Sequence, residues 1–89
     1  MSTPPVETIE HVPIGTRRVI TRIIAPEGAP EWAQRLEEIG FIPGERIVVM
    51  ARGAAGGDPM VVRVGLSTFA LRRAEAACVQ LAPADAPAD

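Results

Sequence analysis

Between Arg35 and Met50 the chain reads R-L-E-E-I-G-F-I-P-G-E-R-I-V-V-M, a helix ending, a tight turn and the start of a strand in one stretch. Gly40 supplies the left-handed residue that ends a helix, and Phe41 can fold back on the last turn in the apolar contact that accompanies such ends. Pro43 and Gly44 fill the central positions of a type II turn, where proline presets φ and glycine accepts a positive value. The run from Glu45 to Arg52 that follows contains I-V-V-M and leaves as a strand covered on both faces for part of its length. A chain that reverses this often within 89 residues builds one small domain of short elements. A domain this size buries only about 60% of the surface its unfolded chain exposes, so the core is thin.

The remaining segments keep the same rhythm. V-E-T-I-E-H-V-P-I-G places an apolar segment before a turn at Pro13 to Gly15, and the β-branched run from Arg17 to Ala25 reads as a strand. After the P-E-G-A-P loop, Pro30 suits the first position of a helix because it lacks the N–H that would go unpaired there, and Glu31 suits its positive end. The helix is expected over 30–39, with Trp32, Leu36 and Ile39 on one face and Arg35 and Glu38 toward water.

G-A-A-G-G-D-P reads as a flexible loop joining the Glu45–Arg52 strand to a second one at Met60 to Val64, the two pairing as an antiparallel hairpin. Gly65 breaks the second strand, Ser67 is expected to cap a short helix over 67–77, and Cys78 to Leu81 form the last strand. Gly15, Gly40, Pro43, Gly44, Asp58, Pro59 and Gly65 are thus read as structural turn residues. Short strands with turns at a spacing of roughly eight to twelve residues suggest a small closed barrel. The fold class is therefore mainly β with inserted helices, a domain at 6–81 between tails at 1–5 and 82–89 rich in Pro, Ala and small polar residues.

Charge and composition exclude several function classes. All nine basic side chains are arginine, set against eleven acids for a net charge of −2, and only Trp32, Phe41 and Phe69 are aromatic. Nucleic-acid binding, which needs a concentrated positive face and often stacking aromatics, is disfavoured. A single cysteine, Cys78, forms no internal disulfide and reads as a buried strand residue in a reducing compartment. No segment approaches the roughly 20 apolar residues that span a bilayer, and the N-terminus carries no basic region followed by an apolar stretch, which points to the cytoplasm.

No catalytic equipment is visible. His11, Cys78, Asp58 and the scattered glutamates lack metal-ligand spacing, so His11 reads as a solvated loop residue, Cys78 as core, and neither metal nor cofactor is expected. Glu37 and Glu38 are neighbours on a helix and read as solvated surface rather than as an acid–base pair. Without lysine there is no phosphate-binding P-loop, which leaves Gly56-Gly57 as hairpin flexibility. The arginine pairs Arg17-Arg18 and Arg72-Arg73 read as surface residues that aid solubility or pair with Glu75 and its neighbours. Partner binding is placed instead on Leu36, Ile39, Phe41, Leu66 and Phe69, of which at least two are expected in an exposed apolar patch and the others in the barrel core.

Taken together, I-E-H-V-P-I-G-T-R-R-V-I-T-R-I at Ile9 to Ile23, R-L-E-E-I-G-F-I-P-G at Arg35 to Gly44, G-D-P at Gly57 to Pro59 and G-L-S-T-F-A-L-R-R-A-E-A at Gly65 to Ala76 resemble the ferrous iron transport protein A family. The resemblance implies an SH3-like β-barrel and a non-enzymatic, cytoplasmic accessory role at the ferrous iron permease, whose cytosolic part is GTPase-like and on which Arg17-Arg18 or Arg72-Arg73 could act in trans, the less favoured reading of those pairs. The same barrel resembles the C-terminal domain of iron-dependent repressors, and the alternative is a free-standing regulatory barrel that binds an iron-responsive transcription regulator. Edge strands of small barrels can also pair between copies, which keeps a homo-oligomer open.

Overall fold

The computed structural model describes residues 6–83. In chain order these form β1 (Glu7–Thr8), a 3₁₀ turn (Ile9–His11), β2 (Arg17–Ile23), α1 (Glu31–Glu38), β3 (Arg46–Ala55), β4 (Asp58–Val64), β5 (Ser67–Leu71), α2 (Arg73–Ala76) and β6 (Val79–Leu81). The strands make one six-stranded sheet in the order β1-β6-β2-β3-β4-β5, every pair antiparallel. Alternation along the strands sends Ile20, Ile47, Val49, Met60, Val62 and Leu71 into one apolar core, where all are essentially fully buried.

The seam between β5 and β1, the two ends of the sheet order, is spanned by α2 and the 3₁₀ turn. Arg73 Nη2 donates to Glu10 Oε2 at 3.0 Å, while the Arg52 guanidinium donates to the carbonyls of Glu10 and Val12. Arginine's several donors let one side chain hold a turn that has no ladder of its own.

The segment from 35 to 50 folds as its residues dictate. Phe41 N–H donates to the Leu36 carbonyl at 2.9 Å and Gly40 N–H to the Glu37 carbonyl at 3.1 Å, with Gly40 at φ 116°. These are the two bonds of a Schellman ending. Glu45 N–H then closes on the Ile42 carbonyl at 3.0 Å with Gly44 at φ 95°, the type II turn expected of Pro43-Gly44.

Two expectations are corrected. The stretch 67–77 is not one helix: Ser67–Leu71 is strand β5, and only Arg73–Ala76 is helical. A two-residue turn with Gly65 at φ 59° pairs Ser67 with Val64 and zips the segment onto β4 as far as Leu71 with Met60, and tertiary pairing overrides the helical preference of Ala, Leu and Arg. Likewise, 53–59 is not a loop. Strand β3 runs to Ala55 and β4 begins at Asp58, with Gly56 and Gly57 both at positive φ, as a two-residue type I′ hairpin requires.

Of the expected tails, 1–5 and 84–89 lie outside the described residues. Ala82 is tied down instead: its N–H donates to the Val19 carbonyl at 2.8 Å, and its own carbonyl accepts from Arg18.

Candidate functional site

Among the described residues no group of three or more His, Cys, Asp or Glu side chains converges as a metal site would. His11 is exposed and lies 3.5 Å from Glu10. The Cys78 thiol is buried and donates to the Ala74 carbonyl. Burial, and to a lesser degree the nearby Glu75 charge, pushes that thiol's pKa above its ordinary value, the opposite of what activates a nucleophile. Every fully buried side-chain N or O among the described residues has a hydrogen-bond partner, as the cost of burying an unpaired polar group requires.

One arginine of each pair is engaged through its side chain. Arg18 is buried and bonded to Glu7 and Ala82, Arg73 is paired with Glu10, and the Arg72 backbone N–H donates to Glu75 Oε1. Asp58, read as a turn residue, begins β4 and its Oδ1 accepts the Arg73 N–H at 3.1 Å, which places a carboxylate at the start of α2. Glu37 and Glu38 are exposed on α1, the latter accepting from Gln34.

The apolar candidates divide between core and surface. Leu36 and Phe41 are 3% and 0% exposed and belong to the core. Phe69 is half-buried, its ring centroid 5.9 Å from that of Phe41 and tilted by 55°, an arrangement aromatic quadrupoles favour. Ile39 and Leu66 face water, at 41% and 95% exposure, and so does Ile42 at 47%.

Two turns carry these residues. A Cβ on Gly40 would stand 3.7 Å from a Val64 methyl, and one on Gly65 would stand 3.7 Å from Glu45 Oε1. The α1–β3 connection and the β4–β5 turn therefore lie side by side, with Ile42 on the first and Leu66 at the tip of the second. Ile39 also lines a groove of about 210 Å³ with Trp32, Arg35, Leu36, Glu38 and Glu75. Ile42 escaped the sequence reading, although its place directly before a type II turn, where the chain reverses at the surface, was the available signal.

Comparison with known proteins gives the family. The FeoA domain matches residues 8–83. The chain belongs to the FeoA family. Its structure is similar to that of Stenotrophomonas maltophilia FeoA, a zinc complex described as a procaryotic SH3 domain protein, with a TM-score of 0.77, 36% identity, and 85% of this chain and 89% of that one covered. It is also similar to iron(II) transport protein A of Clostridium thermocellum, with a TM-score of 0.72 and 27% identity over 84% of this chain and 44% of that one. A manganese-dependent transcriptional repressor matches at a TM-score of 0.73 and 21% identity, over 90% of this chain and 42% of the repressor. That likeness shows a shared fold alone. No curated protein matches the chain significantly. The SH3-like, mainly β architecture expected from the sequence is thus the family's fold.

Proposed function

We propose that this FeoA-family chain is a non-catalytic accessory of ferrous iron uptake that works in the cytoplasm by docking on the GTPase-like cytosolic domain of the ferrous iron permease. The docking element is the set of exposed apolar side chains Ile39, Ile42 and Leu66, at the end of α1, on the α1–β3 connection and on the adjoining β4–β5 turn. The observation that carries this reading is Leu66, a large aliphatic side chain 95% exposed at the tip of a two-residue turn between two paired strands. Exposing it gives the fold nothing, while covering it on a partner removes apolar surface from water at about 25 cal/mol per Å². The S. maltophilia relative, for which a role as a ferrous iron transport activating factor has been put forward, supports the assignment.

Calorimetric titration against the permease's isolated cytosolic domain, with GDP and with a non-hydrolysable GTP analogue, tests it. Binding in at least one nucleotide state is expected, weakened about tenfold or more by Leu66→Ser with the melting temperature unchanged. Full affinity in the Leu66→Ser protein, or no binding with either nucleotide, overturns the reading.

A further inference from the structure

The sheet has two ends, and they are finished differently. At one, β1 is two residues long and its Glu7 is bound to Arg18, the short, charged edge that discourages further pairing. At the other, β5 reads S-T-F-A-L, with no charge and no proline, and its register with β4 runs from Val64 and Ser67 to Met60 and Leu71 without a bulge. Strand β5 carries none of the devices by which sheet edges escape pairing.

The register fixes which backbone groups the open side of β5 presents. Val64 and Ser67 flank the two-residue turn and bond to each other, so Phe69 and Leu71 also bond to β4, while the N–H and C=O of Thr68 and Ala70 point the other way. Both residues are exposed, and these outward groups have no hydrogen-bond partner among the described residues. The turn and helix that span the seam beside them do not bond to them.

We infer that this edge receives β5 of a second copy of the chain, antiparallel and centred on Phe69. About that two-fold axis Thr68 stands opposite Ala70 of the second copy, and Ala70 opposite its Thr68, so every outward N–H meets an outward carbonyl. Phe69 meets its own counterpart in the intervening, closer pair, where the half-buried rings make a cross-strand aromatic contact. The symmetry of the edge argues for a second copy as occupant. S-T-F-A-L opposes itself without bringing like charges together, and one isologous contact closes the open edges of both copies at once. The chain's own ends are poorer occupants, because Pro4, Pro5, Pro83 and Pro87 have no N–H to give. The inference is independent of docking on the permease, and its test uses this chain alone.

Sedimentation velocity of the full chain from micromolar to millimolar concentration, with amide hydrogen exchange by NMR at both extremes, provides the measurement. The sedimentation coefficient should rise from monomer toward dimer. The Thr68 and Ala70 amides should exchange about tenfold or more slowly at the high concentration, while those of Ser67, Phe69 and Leu71 are protected at both. Ala70→Pro removes an outward N–H at an edge, where proline is tolerated. Thr68→Glu/Ala70→Glu sets carboxylates opposite one another across the axis, yet within each copy places one beside Arg63. Each should weaken association about tenfold or more, the second with its melting temperature unchanged. A chain that stays monomeric at millimolar concentration, a dimer undiminished in the Thr68→Glu/Ala70→Glu protein, or a dimer whose Thr68 and Ala70 amides still exchange freely overturns the inference. Slow exchange of those two amides at every concentration also overturns it, by assigning the edge to the chain's own terminal residues.

Discussion

Arg18 Nη2 lies 2.9 Å from Glu7 Oε1, the arginine side chain 3% exposed and the glutamate 48%. Arg18 occupies an inward position of β2, between residues that face water, and a cation so removed from solvent has to be paired. It solves this by reaching out of the core to a carboxylate on β1 and to the Ala82 carbonyl just past β6. One side chain on β2 therefore ties down both the first strand and the residue after the last.

This pair sets an acid limit. The Arg18 hydrogen bond, and then its charge, hold the Glu7 carboxyl below its ordinary value of 4.5. A carboxyl whose pKa is lower in the folded than in the unfolded chain contributes stability that is present above the unfolded value and lost as pH falls through the folded one. Urea midpoints measured from neutral pH downward should therefore drop once pH falls below about 4.5, with a shallower acid slope in Glu7→Gln. That variant should already be less stable at neutral pH. Parallel acid slopes in the two proteins would show that Glu7 takes no part.

The Phe41–Phe69 contact makes a second prediction. Phe41 is fully buried where α1 ends and Phe69 half-buried on β5, so their rings join the helical insertion to the strand hairpin. Phe41→Ala should cost about 3–5 kcal/mol through lost burial and the cavity left behind, and Phe69→Ala clearly less. A double-mutant cycle on denaturation midpoints should return a coupling of about 0.5–1.5 kcal/mol. Additive effects would mean that the rings pack independently.

The elements whose signals are local were legible in the sequence. Trp32, Leu36, Gly40 and Pro43-Gly44 each act through neighbours one to five residues away, and helix, helix end and turn stand where their chemistry puts them. Ser67–Leu71 was not legible, because a serine followed by Ala, Leu and Arg satisfies helical preference. Its competing period of two, Phe69 and Leu71 inward with Thr68 and Ala70 outward, becomes decisive only once β4 is present to pair with it. The surfaces divide in the same way. The exposure of Leu66 follows from its turn, but the alignment of Arg17, Val48 and Arg63 in one row depends on the register between strands, which is long-range information.

Gly53 gives a third prediction. A Cβ there would meet the Asp58 carbonyl oxygen at 2.5 Å and the Pro59 oxygen at 2.9 Å, both backbone atoms that cannot swing aside. The residue lies where the β3–β4 register shifts between Arg52 and Ala55, so the two strands approach closely only because no side chain intervenes. Gly53→Ala should destabilise by about 1–3 kcal/mol, as overpacking does. Gly28→Ala, whose Cβ would meet nothing within 4 Å, should leave the midpoint nearly unchanged or raise it slightly. Equal midpoints for the two variants would mean that the hairpin opens to admit a methyl group at no cost.

The fourth prediction concerns Cys78, held just before β6 with its thiol against the Ala74 carbonyl. Burial first, and the Glu75 charge second, raise its pKa above 9.0. The folded chain therefore carries less thiolate at a mildly alkaline pH than the unfolded chain, besides shielding the sulfur. Labelling by a water-soluble disulfide reagent should be slower in the native protein than in denaturant by about a hundredfold or more, because reaction waits for the strand to open. Glu75→Gln, which removes only the smaller cause, should leave most of that protection in place. Labelling at the unfolded rate in native buffer would show that β6 detaches readily, and the tie from Arg18 to Ala82 would then be too weak to hold the sheet's last strand.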